Sequence, residues 1–146
     1  MEDDLLFETD RFNLSEVKNH FINPCCFGED VAAWLREELL GEGINVTEPD
    51  QEDWGWYIEA EYRGDSYFIG IGGNTDEFSE KRNQGEWRIL VEKNRSTWQK
   101  LTHRDDVSSA NELMNIIRRI VEKESGVKNV RFENGAPNMG MQRTRN

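Results

Sequence analysis

Residues 51–74 contain two stretches in which apolar and polar side chains alternate, and this pattern constrains the fold more than any other. A period of two is typical of a β-strand with one face on a core and the other in water. Trp54–Arg63 and Ser66–Gly73 are predicted to be such strands, joined across Gly64 and Asp65. In the first strand, one face is expected to carry Trp54, Trp56, Ile58, Ala60 and Tyr62, and the other Tyr57, Glu59, Glu61 and Arg63. The rest of the chain is expected to cover the aromatic face.

Two amphipathic helices are predicted on either side of this hairpin, because apolar residues recur at three- and four-residue spacing. The first spans residues 30–40, and its apolar positions are Val31, Ala32, Leu35 and Leu39. The second begins near residues 106–109 and ends before Gly126. Its apolar stripe comprises Val107, Ala110, Leu113, Met114, Ile117, Ile120 and Val121.

The remaining strands are predicted at Glu86–Lys93, at Val127–Phe132 and around Leu5–Phe7, whereas the segment Glu48–Asp53 is predicted to be an exposed turn because it contains Pro49 and several acids. Strands between two helices, without βαβ alternation, favour an antiparallel sheet. The expected fold is therefore α+β: a two-layer sandwich in which two helices pack on one face of an antiparallel sheet of four to five strands. Residues 1–133 are predicted to form a single domain and residues 134–146 a flexible C-terminal tail.

The charge is unevenly distributed along the chain, whose net charge is −11. Residues 1–61 contain 17 acidic and 3 basic residues, and residues 62–146 contain 12 acidic and 15 basic ones. This asymmetry argues against direct nucleic-acid binding, which requires a clustered basic face, and indicates either a charged partner or internal pairing of the two halves. No apolar run reaches the roughly 20 residues of a membrane span, and the acidic start differs from a secretory signal. A cytoplasmic protein without membrane association, monomeric or dimeric, is expected.

The residue types that usually carry catalysis or bind metals do not form a recognisable pattern. Cys25 and Cys26 are adjacent, which favours two reduced thiols over a disulfide or a zinc site. His20 and His103 stand in no ligand or triad pattern. The glycines of residues 70–73 lie in a strand and are followed by acids, unlike a phosphate-binding loop. We therefore predict no catalytic residue, no metal and no cofactor.

A candidate binding site lies where clustered acids run into aromatic residues, since such a segment offers a basic partner both charge and an aromatic anchor. The alternative is a solvated turn beside core tryptophans. The predicted binding residues are Glu48, Asp50, Glu52, Asp53, Trp54, Trp56 and Tyr57.

A basic set in the second half, interleaved with Trp87 and Trp98, resembles a weak surface for single-stranded nucleic acid. The acidic half nearby favours internal ion pairing instead. The set comprises Lys81, Arg82, Arg88, Lys93, Arg95, Lys100 and Arg104.

The sequence therefore favours two candidate functions. The first is a small acidic protein-binding module, such as an immunity or inhibitor protein that neutralises a basic toxin or nuclease through an acidic, Trp-containing face. The second is a small-molecule-binding or enzymatic domain with a pocket between the sheet and the loop at residues 74–85.

Overall fold

Seven strands and two helices make up the part of the chain that the computed structural model describes, residues 3–9, 28–52, 55–74, 85–94 and 107–134. In chain order they are β1 (Asp3–Thr9), α1 (Glu29–Gly41), β2 (Asn45–Val46), β3 (Asp50–Glu52), β4 (Gly55–Tyr62), β5 (Asp65–Asn74), β6 (Gly85–Lys93), α2 (Val107–Lys123) and β7 (Lys128–Asn134). Both predicted helices are confirmed, the first to within one residue at each end.

The strands form one antiparallel sheet in the order β2-β4-β5-β6-β1-β7. Strand β3 pairs with β4 on the same side as β2, but with an earlier part of β4. The predicted α+β class and antiparallel sheet are confirmed. The predicted number of four to five strands is too low, because β2 and β3 both join the sheet. The turn predicted over residues 48–53 is wrong at β3, where Asp50, Gln51 and Glu52 pair with Tyr57, Trp56 and Gly55.

The hydrophobic core lies between the helices and one face of the sheet. Side chains of both helices and of that face belong to a single buried cluster. Helix α1 contacts β2 and β4, helix α2 contacts β6, β1 and β7, and the two helices also contact each other. Across the helix pair, the indole Nε1 of Trp34 donates to Glu124 Oε1 at 3.0 Å.

The two faces of β4 are occupied largely as its alternation predicts. Trp56, Ile58 and Ala60 are at most 4% exposed and lie in the core, and Tyr62 packs against it. Tyr57 lies on the opposite face, where its ring stacks on Phe68 with centroids 5.0 Å apart. That opposite face is itself not uniformly polar, since the side chains of Leu6, Phe68 and Leu90 are also buried.

The ion pairs of Arg88 with Asp4 and of Arg131 with Glu8 join the two halves of the sequence, as the internal-pairing interpretation expects. Arg88 on β6 and Asp4 on β1 are 2.7 Å apart, with side chains only 8% and 13% exposed. Arg131 on β7 contacts Glu86 on β6 and also Glu133. The pKa of Arg131 is raised mainly by its hydrogen bond to Glu86, and next by its hydrogen bond to Glu133. These pairs connect strands β1, β6 and β7. Trp87, predicted beside the basic set, lies in the core.

Gly55 is required by a close approach of two backbones. A Cβ atom at this position would lie 2.4 Å from the carbonyl oxygen of Ile71, on the neighbouring strand β5. This separation is far below a normal contact, and backbone atoms in the middle of a sheet cannot move aside without disturbing the pairing. Gly41, the last residue of α1, has open space around the corresponding position.

Gly55→Ala should therefore destabilise the protein by about 2 kcal/mol or more, because overpacking forces the β4–β5 backbones apart. Gly41→Ala is the matched control, and since alanine favours helix, its effect should be neutral or stabilising by up to about 1 kcal/mol. Urea unfolding of the two variants beside the parent measures the difference. Equal midpoints for the two variants would contradict the close approach.

Candidate acidic interface

The acidic residues between positions 28 and 61 that the structure describes lie at one end of the sheet, whereas Asp3, Asp4 and Glu8 lie on β1, beside β7. Helix α1 packs over β2 and β4, which lie at this end, whereas α2 packs over the strands toward β7. We call residues 28–52 and 55–61, which form α1, β2, β3 and most of β4, the acidic end. They include ten acidic residues and one basic residue, Arg36. At about 4.8 Å per strand, the edge strands β2 and β7 are separated by about 24 Å.

The opposite end has a different charge balance. Residues 107–134, which form α2 and β7, include four acidic and five basic residues. Strand β1, which lies beside β7, adds Asp3, Asp4 and Glu8 to this end. The end that contains β7 therefore carries both signs of charge, whereas the acidic end is almost entirely negative.

Arg36, the one cation of the acidic end, is held by its own neighbourhood. Its Nε donates to the carbonyl oxygen of Val46 at 3.3 Å, its Nη2 lies 3.2 Å from Glu48, and its Nη1 lies 3.3 Å from Glu37. Its side chain is 23% exposed, whereas those of Glu37 and Glu48 are 71% and 81% exposed. Arg36 therefore ties the β2–β3 connection to α1 while the carboxylates around it remain in solvent.

The edge of the sheet at the acidic end is interrupted between β2 and β3, and Thr47 fills the interruption. Its backbone N–H donates to the carbonyl oxygen of Glu59, and its Oγ1 accepts from the N–H of Glu59, both at 2.9 Å. Pro49, which has no N–H, follows two residues later. A proline and short strand segments are devices that discourage another chain from pairing with an edge. This edge therefore presents side chains rather than a continuous row of backbone groups.

The predicted binding residues do not all lie together on the surface. Glu48 is exposed and pairs with Arg36. Asp50 is exposed, accepts from the hydroxyl of Tyr57 at 3.2 Å and accepts from the N–H of Gln51 at 2.9 Å. Glu52 is half-buried on β3. Together with Tyr57, these three acids occupy the β3–β4 side of the acidic end.

Of the two tryptophans predicted for the same site, the described one, Trp56, does not accompany these acids on the surface. Trp56 is 4% exposed and packs in the core, with its ring beside Gly28. Its large apolar area is already used for folding. Asp53 and Trp54 lie outside the described residues. The aromatic residue that the structure places next to the acids is Tyr57.

Seven of the ten acids of the acidic end were missing from the predicted site: Glu29 and Asp30 in the first turn of α1, and five others. The signal for the five others was the charge count over residues 1–61 combined with the helix and strand periodicity, which together place them on outward faces. On or just after α1 these five are Glu37, Glu38 and Glu42, and on the outer face of β4 they are Glu59 and Glu61.

A pocket of about 360 Å³ lies beside β2, β4 and β5. It is lined by Asn45, Val46, Thr47, Glu59, Ala60, Glu61 and Ser66. Register places Asn45 and Ser66 on either side of Glu61. The carboxylate of Glu59 accepts from Asn94 Nδ2 at 2.7 Å, which fixes one wall.

The described residues offer little that would support other classes of site. Among them, no group of three or more His, Cys, Asp or Glu side chains is arranged to hold a metal ion. Neither described helix has the length and apolar character needed to cross a membrane. Cys25, Cys26, His20 and His103 lie outside the described residues, as do residues 75–84 and the predicted tail from residue 135 onward.

Comparisons with protein-family models, with curated proteins and with solved structures gave no match.

Thr47→Val should destabilise the protein by about 1 kcal/mol, because the N–H of Glu59 loses its acceptor while the side-chain shape is kept. Thr47→Ser retains the hydroxyl and should cost less than about half of that. The free energies of unfolding of the two variants, measured in urea, test whether the hydrogen bond between the Thr47 hydroxyl and the N–H of Glu59 stabilises this edge of the sheet. The assignment fails if serine and valine destabilise equally.

Proposed function

We propose that the chain is a cytoplasmic protein-binding module whose acidic end engages a basic partner protein, in the manner of an immunity or inhibitor protein that neutralises a toxin or nuclease. The observation that supports this proposal is the charge of the acidic end, where ten acidic residues outnumber a single basic one, Arg36. The guanidinium of Arg36 is already bound to Val46, Glu37 and Glu48. A surface of one sign attracts an oppositely charged protein and accelerates its association.

The contact surface in this proposal differs from the segment predicted from the sequence, which ran from Glu48 to Tyr57. It combines the exposed acids of α1, the β3–β4 acids and Tyr57, while Trp56 supports the surface from within the core. Tyrosine suits an interface because it offers a flat apolar ring together with a hydroxyl. The interrupted edge implies that the partner is recognised through side chains and not by adding a strand to the sheet.

A small-molecule or enzymatic domain is the second candidate. The pocket predicted for it involved residues 74–85, of which 75–84 lie outside the described residues. The pocket beside β2 lies at a different place, within the acidic end, and its two glutamates, Glu59 and Glu61, fit the first candidate as well.

Capture from host lysate at low salt, followed by identification and purification of the recovered protein, provides the partner for a quantitative test. The association rate with this protein should fall by about tenfold or more between about 0.05 M and 0.5 M salt, because screening removes the electrostatic attraction. Glu38→Lys should weaken binding by about fivefold, mainly through slower association.

Glu122→Lys on α2 is the matched control, since it reverses one exposed helix charge at the other end of the sheet. It should change the affinity by less than about twofold. The proposal is contradicted when low-salt capture yields no basic protein, or when the two reversals have equal effects on its binding.

A further inference from the structure

The two edges of the sheet present different surfaces to another strand. The edge at the acidic end is interrupted at Thr47 and carries Pro49. At the opposite edge, β7 is seven residues long, contains no proline and pairs with β1 on one side, and among the described strands none pairs with its outer side. Each of residues 127–133 is at least partly exposed. An exposed edge strand of this length can receive another strand.

A bulge limits the part of β7 that can pair regularly. Asn129 has a positive φ of 58°, and the register between β1 and β7 shifts between Leu6 and Glu8. The Nδ2 of Asn129 donates to Glu8 Oε2 at 2.6 Å, which holds this irregular conformation. A bulge disrupts the hydrogen-bond ladder at its own position. Residues 130–134, which follow the bulge, form the part of the edge that is suited to pairing.

The side chains of this segment alternate between the two faces of the sheet. Val130 and Phe132 are half-buried and pack against the core. Arg131 lies on the other face, where it contacts Glu86 on β6 and lies 2.8 Å from Glu133. Residues directly opposite each other in an antiparallel pair share a face and interact. The identity of the opposing side chains therefore decides which register a second strand adopts.

Charge and the bulge select one symmetrical register for two copies of β7. A two-fold axis at Arg131 or at Glu133 would place like charges directly opposite each other, which is destabilising. An axis at Val130 would bring the bulged Asn129 into the ladder. An axis at Phe132 places each Arg131 opposite Glu133 of the other copy and brings the two Phe132 rings together. Opposite charges and aromatic pairs at opposed positions both stabilise a sheet.

We propose that two copies of the chain pair through residues 130–134 of β7, about a two-fold axis at Phe132, and so join their sheets into one. The contact is self-complementary, so the pair of Arg131 with Glu133 of the other copy occurs twice. The charge of the two ends favours this edge, because two acidic ends repel each other whereas the end that contains β7 carries both signs. The acidic ends then lie at the far sides of the dimer, which leaves both available to the basic partner of the proposed function.

The test uses the full chain, labelled with ¹⁵N. In sedimentation equilibrium, the average mass should rise from that of one chain toward that of two as the protein concentration increases. Over the same concentrations, the backbone amide signals of residues 130–134 should shift, and those of residues 45–52 at the other edge should not. The two measurements together establish both the stoichiometry and the location of the contact.

Glu133→Lys should weaken the self-association by about tenfold, because it places a lysine opposite each Arg131 at two symmetric positions. Glu42→Lys is the matched control, since it makes the same charge reversal at an exposed position of the acidic end. It should change the self-association by less than about twofold. An unchanged spread of amide signals verifies that each variant is folded.

A monomer at every concentration up to about 1 mM would overturn this inference, and this is the result expected if residues 135–146 occupy the edge in place of a second copy. Concentration-dependent shifts away from β7 would also overturn it, as would equal effects of Glu133→Lys and Glu42→Lys. The proposed function is decided separately, by the response of the basic partner to Glu38→Lys.

Discussion

The structure depends on the register of β4, since this strand carries both the core and the acidic surface. It pairs with β5 over seven residue pairs on one side and with β2 and β3 on the other. Trp56 and Ile58 fill the core from one face, and Glu59 and Glu61 occupy the other. A slip by one residue would turn the glutamates inward. Burying an unpaired carboxylate costs several kcal/mol, so the same alternation that forms the core also holds the acids outside.

Features with a local signal were predictable from the sequence. Both helices and the β4–β5 hairpin follow from periodicity over ten or more residues, and the structure reproduces them within one or two residues. Strand β3 was not predictable, because three residues after a proline have no strand preference of their own. They form a strand because their backbone groups pair with those of β4. The position of β1 between β6 and β7 likewise follows from distant pairing and from the ion pair of Arg88 with Asp4, not from neighbouring residues.

Only part of the candidate site was predictable, because the prediction grouped residues that are neighbours in the sequence. Residues 48–57 are consecutive acids and aromatics, yet a strand sends neighbouring side chains to opposite faces. Trp56 and Tyr57 are separated in this way: one is buried in the core and the other contacts Asp50. The alternation in β4 had already assigned Trp56 to the core face. Acids that are distant in sequence, such as Glu38 and Glu61, belong to the same end because α1 packs over the edge of the sheet.

The acidic end also has an energetic consequence for the folded state. Among the described residues, the well-buried charges Arg88 and Asp4 are paired, whereas acids such as Glu38, Glu42 and Glu61 remain exposed, where desolvation costs little. Their mutual repulsion is screened by solvent but still opposes compactness. A bound cation or basic surface would relieve that repulsion in the folded chain, where the acids are held together, more than in the unfolded chain, where they are spread out. Binding of the proposed basic partner at this end would therefore raise the stability of the folded chain, as for any ligand that prefers the native state.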